Sequence, residues 1–496
     1  MVRFSLLALL SVFLVKCSGE PQIMNLIKFD DSNSDPDALC NDGTRGGYYF
    51  SKAIDPSQAD VFVVHLPGGG QCYDKPSCDS RAANLKSFSY AAPTISVTGF
   101  LDASSDNTPL WGANKAYLYY CSSDGYMGDA PASAATWGYH FRGQRLVHSL
   151  FQALALNHGF NESTLVYLTG SSAGARGYMA HIDQLVEQWI PSSASVIGLL
   201  DSPYYLDVSP YSPDSKGFQY QEQQKYKYYN TQAILSADCV AAYPHPDDQW
   251  KCQFGEHRMP FVKTPYFLIF DQFDSYQLNE LTGSSPSVYT PATAAYTEEF
   301  ALYGRTSVTN LSISTGSTPP PPPVAHPHSS DMEKHAFIRN GHFAPPKAHV
   351  STVATTSTIS TSIPKPASAG PGYGYYSPAC YYHAIGTSNL FYTTATDDKT
   401  ILRDAFASYL SHFPAGVRKR GGEMKEVADV FVQEWRGSGN VSEVSGGGSG
   451  DSNNVGLSSH AHHDHTNHHK SGGGWVMSWI DSCVGVACGR YCNGIV

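Results

Sequence analysis

Residues 165–174 read Leu165-Val166-Tyr167-Leu168-Thr169-Gly170-Ser171-Ser172-Ala173-Gly174, an apolar run delivered into a Gly-x-Ser-x-Gly turn. The run Leu165–Leu168 predicts a short strand, and the residues from Ala175 to Trp189 read as a helix. A strand that turns this tightly into a helix needs small residues on both sides of the turn. The turn lifts the serine oxygen above the sheet. It also sets that oxygen beside a helix N-terminus, which favours developing negative charge. Ser172 is therefore the candidate nucleophile; the plainer alternative is a Gly/Ser-rich β–α turn that binds nothing.

The same strand-and-turn logic extends to either side. Val61-Phe62-Val63-Val64-His65-Leu66 is an apolar run ended by Pro67-Gly68-Gly69-Gly70. Lys115–Tyr120 is a second short run, closed by Cys121-Ser122-Ser123-Asp124-Gly125. Between Arg142 and Leu156, apolar Leu146, Leu150 and Leu154 recur at helical spacing. Val196–Leu200 and Tyr266–Phe270 read as further strands. Strands alternating with helices predict an α/β fold, a mostly parallel sheet with helices on both faces.

Glycine conformations free backbone N–H groups to converge on one oxygen. A Gly68-Gly69-Gly70 loop at a strand end, upstream of a serine turn, is thus a candidate oxyanion hole. A Cys72–Cys78 disulfide would brace it. A serine nucleophile also needs a base and an acid that orients the base. Asp274 and His383 follow the serine in the order serine, acid, histidine. Asp271 and Asp201 compete for the acid's role, and His342, His349 and His412 for the base's. Spacing alone leaves these choices open.

Composition bounds the rest. The chain has 496 residues, 41% of them apolar, enough for a sizeable core, and 15% charged. With 32 Lys+Arg against 43 Asp+Glu and no basic block, nucleic acid is excluded as an expected partner. Arg3 followed by the apolar run Phe4–Val15 and the small residues near Cys17-Ser18-Gly19 reads as a secretory signal over residues 1–19. Without Cys17 the 11 cysteines become an even set, suited to pairing in an oxidising compartment. Asn161, Asn310 and Asn440 each open an Asn-x-Ser sequon. No other apolar run approaches the roughly 20 residues of a membrane span. The remaining residues, 20–496, are expected to form one domain with two low-complexity stretches. One, at about residues 307–372, is rich in Ser, Thr, Pro and His; the other, at about residues 445–474, is rich in Gly and His. His460, His462, His463, His465, His468 and His469 carry imidazoles that bind zinc or copper. In a Gly/Ser-rich stretch they have no fixed geometry, so no metal site is expected.

Six segments together resemble the pectin acetylesterase/Notum family of secreted carboxylesterases. They are Cys40-Asn41-Asp42-Gly43-Thr44 with Gly47-Tyr48-Tyr49; Leu66 to Cys72 with Cys78-Asp79-Ser80-Arg81; Tyr120-Cys121-Ser122-Ser123-Asp124; Leu168 to Gly174; Phe273-Asp274-Ser275-Tyr276-Gln277-Leu278; and Ser377-Pro378-Ala379-Cys380 before His383. The tail Asp481-Ser482-Cys483 with Cys488 and Cys492 resembles the family's C-terminal cysteine cluster.

The resemblance implies an α/β-hydrolase-like fold with Ser172 as nucleophile, Asp274 as acid and His383 as base. It implies backbone oxyanion donors at Gly69, Gly70 and Ala173, and no metal or organic cofactor. Asp201, in Leu200-Asp201-Ser202, resembles a structural segment near the site. Cys72–Cys78, Cys239–Cys252 and Cys40–Cys121 are the expected disulfides, with Cys380 tied to the tail cysteines. The sequence departs from the family at Pro67, where an acidic residue is usual, and at Gly70 or Gln71, where a Trp is usual.

The implied protein is a secreted, monomeric serine carboxylesterase that deacetylates a polysaccharide such as pectin. The alternative within the family is a Notum-like deacylase removing a long-chain palmitoleoyl group from a protein serine. A catalytically inactive binding protein on the same scaffold is a third reading. Gln71 is expected to add polarity at the site. Tyr220, Tyr226, Tyr228 and Tyr229 either line its mouth or simply pack.

Overall fold

A computed structural model describes residues 22–103, 110–211, 215–284, 290–314, 372–380, 382–385, 402–411, 413 and 475–481. The expected signal sequence and the tail histidines lie outside these residues, as do most of the two low-complexity stretches. Among the described residues the strands are β1 (Gln22–Lys28), β2 (Gly47–Ser51), β3 (Val61–Leu66), β4 (Thr94–Val97) and β5 (Asn114–Leu118), then β6 (Leu165–Ser171), β7 (Ser195–Asp201), β8 (Tyr266–Ile269), β9 (Gly372–Ser377) and β10 (Trp475–Ile480). They form one sheet in the order β10-β9-β8-β7-β6-β3-β5-β2-β1-β4. From β10 to β5 every neighbouring pair is parallel. β2, β1 and β4 then add antiparallel strands at one edge.

The central strands are buried on both sides, and their side chains alternate between two cores as the two-residue period of a strand requires. Phe62, Val64 and Leu66 of β3, with Val166 and Leu168 of β6, join one core. Val61, Val63, Leu165 and Tyr167 join the other. The first core is covered by the helices Gly143–Asn157 and Ala173–Trp189, which bury Leu146, Leu150 and Leu154 and Ala175, Tyr178 and Ile182. The second is covered by the helix Leu402–Ser411, through Leu402, Ala405, Phe406, Tyr409 and Leu410. The fold is the α/β, mostly parallel arrangement that the strand–helix alternation predicts.

The start of the insert differs from the sequence reading. The low-complexity insert was expected from about residue 307, but the helix Pro291–Ser314 runs through its start. Val308 and Leu311, three residues apart, are buried in the first core, and that packing outweighs the Ser/Thr composition around them. At its far end, β9 begins at Gly372, paired with β8 from Tyr266↔Tyr373. β10 was not anticipated. It follows directly on the Gly/His-rich stretch, and Met477 and Trp479 anchor it in the second core.

The three expected disulfides are present: Cys40–Cys121, Cys72–Cys78 and Cys239–Cys252, with Cα separations of 4.9, 4.9 and 6.0 Å. Cys380 is also disulfide-bonded, while Cys483, Cys488 and Cys492 lie outside the described residues. Asn161 and Asn310 are exposed; Asn440 lies outside the described residues. Among the described residues no helix is long and apolar enough to cross a membrane.

Candidate active site

Ser172 is the single residue between β6 and the helix Ala173–Trp189. Its backbone sits at φ 51°, ψ −119°, a conformation that L-residues seldom adopt. Such strain persists only where the surroundings over-determine it. Here the flanking glycines explain how. A Cβ on Gly174 would lie 1.8 Å from the carbonyl oxygen of Leu66, and one on Gly170 would lie 2.6 Å from the nitrogen of Ala175. The turn therefore closes directly onto the end of β3. The N–H of Ser172 donates to the Asp201 carbonyl at 2.7 Å, and the Ser172 carbonyl accepts from Arg176 N–H at 2.9 Å.

Two further loops meet the serine. His383 Nε2 is 2.6 Å from Ser172 Oγ, and its Nδ1 is 2.8 Å from Asp274 Oδ2. The other Asp274 oxygen accepts the Gln277 N–H at 2.9 Å, so the carboxylate also caps the helix Ser275–Thr282. Ala384 N–H donates to Ser202 Oγ at 2.9 Å, fixing the backbone beside the imidazole. Tyr276 stacks on the ring, with centroids 5.1 Å apart. Burial pushes the imidazole pKa down. The charge of Asp274 and its hydrogen bond outweigh this, with Asp201 adding to them, so the net shift is upward.

The structure thus separates the residues that spacing left open. Asp274 is the carboxylate bonded to His383. Asp201 ends β7 and holds the nucleophile turn through its backbone carbonyl. Asp271 is fully buried, and among the described residues neither of its carboxyl oxygens has a hydrogen-bond partner. Burial, then the neighbouring charges of Asp201 and Asp274, drive its pKa well above the usual carboxylate range. His342, His349 and His412 lie outside the described residues.

The glycine loop lies against the serine. A Cβ on Gly68 would be 3.0 Å from Ser172 Cβ. Gly69 and Gly70 both have positive φ, 145° and 68°, which leaves glycine as the suitable residue. The carbonyl of Gly69 accepts from Arg81 Nη1 at 2.6 Å, and that of Gly70 accepts from the Tyr120 hydroxyl at 2.6 Å. On the other side, Ala173 opens its helix, so its N–H has no acceptor within the helix. A cleft of about 720 Å³ opens over these groups. Beyond the loop, Ser171, Ser172 and His383, it is lined by Gln71, Tyr73, Ser77, Ser80, Arg81, Ala82, Tyr276, Glu280 and Ala384.

One feature escaped the sequence reading. Gln71 borders the cleft, but its amide is committed to a buried charge cluster. Its oxygen accepts from Arg176 Nη1 at 2.8 Å and Lys225 Nζ at 2.7 Å; its nitrogen donates to Glu222 at 3.0 Å and to Gln221 at 3.2 Å. Glu222 in turn pairs with Arg176 at 2.8 Å and Lys225 at 2.7 Å. The polarity expected of Gln71 is therefore spent inside the protein. The tyrosines after Phe218 pack. Tyr229 stacks on Phe141 at 3.6 Å, Tyr228 lies against Trp137, Tyr220 meets Tyr73 edge-on and Tyr226 bonds Gln249. None of the four is among the cleft-lining residues. Among the described residues no group of three or more His, Cys, Asp and Glu is placed to hold a metal.

The contact between Gly174 and Leu66 gives a direct test. Gly174→Ala places a methyl where the Leu66 carbonyl already is, and overpacking of this kind costs about 1–3 kcal/mol or more. The variant is expected to melt earlier than wild type in a circular-dichroism scan and to lose labelling of Ser172 by a fluorophosphonate. Unchanged melting and labelling would mean that the turn does not depend on this contact.

Comparison with known proteins agrees with the geometry. The family model described as Pectinacetylesterase matches residues 19–297. The chain is 29% identical over 284 residues to palmitoleoyl-protein carboxylesterase NOTUM of Drosophila melanogaster, covering 55% of this chain and 41% of that protein. It is 32% identical over 253 residues to palmitoleoyl-protein carboxylesterase notum2 of Xenopus laevis, covering 48% and 50%. It is 28% identical over 267 residues to pectin acetylesterase 5 of Arabidopsis thaliana, covering 53% and 60%. The matches thus span about half the length of these relatives. The solved structure of the Wnt deacylase Notum from Drosophila shares the fold, with a TM-score of 0.59 at 21% identity, covering 79% of this chain and 93% of that one. With more than half of its residues matched by that model and the strand–turn–helix in place, the chain belongs to the pectinacetylesterase family.

Proposed function

We propose that this protein is a secreted serine carboxylesterase, and that it removes acetyl groups from a polysaccharide such as pectin. One observation carries the reaction: His383 reaches Ser172 Oγ through one ring nitrogen and Asp274 through the other, at 2.6 and 2.8 Å. Ser172 Oγ attacks the acyl carbon, and its proton passes to His383 Nε2. Asp274 stabilises the resulting imidazolium and keeps Nδ1 protonated. The tetrahedral oxyanion rests on the backbone N–H groups of Gly69, Gly70 and Ala173. As the intermediate collapses, His383 gives the proton to the leaving alcohol oxygen. Water then attacks the acyl-enzyme, with His383 again accepting a proton; as this intermediate collapses His383 returns the proton to Ser172 Oγ, and the free acid leaves.

The choice of a short acyl group rests on the cleft wall. Its described lining residues include no Val, Leu, Ile, Met, Phe or Trp; Ala82 and Ala384 are its only aliphatic members. A long acyl chain draws affinity from apolar burial, at about 0.8 kcal/mol per CH₂. A wall of Ser, Tyr, Arg and Glu offers little of this and much for sugar hydroxyls. The Notum-named relatives supply the competing reading, a long-chain protein deacylase. Across aryl esters from acetate to dodecanoate, kcat/KM is expected to peak at the shortest acyl group, and acetylated pectin is expected to release acetate. A profile that climbs steadily to eight carbons and beyond would favour the deacylase.

Two measurements test the chemistry itself. Ser172→Ala is expected to fold normally and to lose about 10⁴- to 10⁶-fold in kcat, since the members of such a relay act as a unit. A fluorophosphonate adduct should map to Ser172; an adduct elsewhere would refute the assignment. His383 must be neutral to accept the serine proton, and its pKa lies above the ordinary value of about 6.5. Activity should therefore fall as pH drops through a midpoint above about 6.5. A midpoint below that value would show that burial, not Asp274, dominates the imidazole.

A further inference from the structure

We infer that Arg81 is a positioning residue for the oxyanion loop: its guanidinium holds the Gly69 carbonyl and so fixes the direction in which the Gly70 N–H points. The inference rests on the reading of Ser172 as nucleophile and Gly70 as an oxyanion donor. Arg81 Nη1 donates to the Gly69 carbonyl at 2.6 Å, while Nε donates to Ser123 Oγ at 3.1 Å. Two donors of one planar group are thus anchored to two different segments, which a flexible ammonium cannot reproduce.

The Gly69–Gly70 peptide is trans, so its C=O and N–H point in opposite directions. Pinning the carbonyl therefore aims the N–H. The aim needs holding, because Gly69 and Gly70 sit at φ 145° and 68°, and glycine exchanges readily among conformations. A cation on the carbonyl also polarises the peptide and strengthens its N–H as a donor.

The chain is arranged to deliver this contact. The loop leaves β3, passes through Cys72, turns through the helix Lys75–Asp79 and returns Arg81 over the glycines 12 residues later. The Cys72–Cys78 disulfide closes the base of that return. Arg81 leaves little room, since a Cβ on Gly70 would come within 3.3 Å of its Nη1. The next peptide is held in the same manner. Tyr120 donates its hydroxyl to the Gly70 carbonyl at 2.6 Å and accepts the Gly125 N–H at 2.9 Å.

Arg81→Met and Arg81→Lys test this with an aryl acetate and an arylboronic acid. Ser172 Oγ forms a bond to the boron, its proton passes to His383 Nε2, and the boronate becomes a tetrahedral anion that needs the oxyanion donors. Arg81→Met should lower kcat by about 10- to 100-fold, somewhat less than outright loss of an oxyanion donor, with KM changed little. Affinity for the boronic acid should fall by a similar factor. Arg81→Lys, and free guanidinium added to Arg81→Met, should each restore part of the rate. Unchanged kcat and boronate affinity would overturn the inference, as would a rise in KM alone, which would make Arg81 a substrate contact. If Arg81→Met fails to fold, Arg81→Lys decides by the same two measurements. Ser172→Ala separates the two levels: activity retained there removes the reading of Ser172 as nucleophile, whatever Arg81 does.

Discussion

The contact on which the site depends is the one between Gly174 and the carbonyl of Leu66. No side chain fits there, since even a Cβ would stand 1.8 Å from that oxygen. β3 and β6 are sheet neighbours, with Leu66 paired to Gly170, so the strand exits are side by side before either loop begins. The helix Ala173–Trp189 can then start directly over the end of β3. That forces Ser172 into its positive-φ turn, at a cost of about 1–3 kcal/mol that the packing around it must offset. The Asp201 carbonyl takes the Ser172 N–H and supplies part of that offset. Because the Gly68–Gly70 loop leaves from the same strand end, serine and glycine loop share one corner of the sheet. A candidate nucleophile and candidate anion donors therefore arrive together as a consequence of strand order.

The same logic brings in the candidate acid and base. β6, β7, β8 and β9 are consecutive and parallel, so their C-terminal ends lie along one edge, where ligand sites of open α/β sheets form. Asp274 follows β8 and His383 follows β9. They are 109 residues apart in sequence and one strand apart in the sheet. The entropy of closing a loop grows only with the logarithm of its length, so a long insertion at this point need not disturb the edge. Asp274 has a second duty as the cap of the helix Ser275–Thr282, which holds its carboxylate with one oxygen free for His383. The orientation of the acid is thus set by backbone geometry. Asp271, three residues earlier, has no such anchor and stays buried near its like charges.

How much of this could be read from the sequence follows burial. β3, β6, β7 and β8 are covered on both faces, so each appears as a continuous apolar run bounded by turn residues. β1, β2 and β4 sit at the antiparallel edge, where β1 and β4 present part of their length to solvent. Thr94–Val97 is mostly exposed and gives no apolar run to find. β10 was legible in principle, as Trp475–Ile480 is apolar, but its glycine-rich approach masked it. The candidate nucleophile and the glycine loop announce themselves because small residues are sterically compelled there. The acid does not, since Asp201, Asp271 and Asp274 all follow strand ends and only side-chain direction separates them. That choice came from family resemblance, not from spacing. The tyrosines after Phe218 show the converse: the sequence leaves open whether they line the mouth of the site or pack, and Tyr229 is sealed against Phe141 and the Cys72 carbonyl.

The least legible element is the charge cluster behind the glycine loop, because it exists only after three separate segments meet. Arg176, Glu222 and Lys225 are each at most 1% exposed. Two cations face one carboxylate, and isolating charges from water is costly unless they are paired and hydrogen-bonded. Burial, and then Arg176, lower the Lys225 pKa to about 8, which still leaves it cationic at neutral pH. A second carboxylate would balance the charge but would repel Glu222. Gln71 meets the requirement differently. Its oxygen serves both cations and its nitrogen serves Glu222, so one neutral amide satisfies groups of both signs. That amide belongs to the residue directly after Gly70. The cost of burying the cluster is thereby converted into a fixed end for the glycine loop. Arg81 and Tyr120 hold the carbonyls of Gly69 and Gly70, and Gln71 locks the residue that follows. A loop built from three consecutive glycines can be rigid only if its neighbours supply the constraints that glycine lacks.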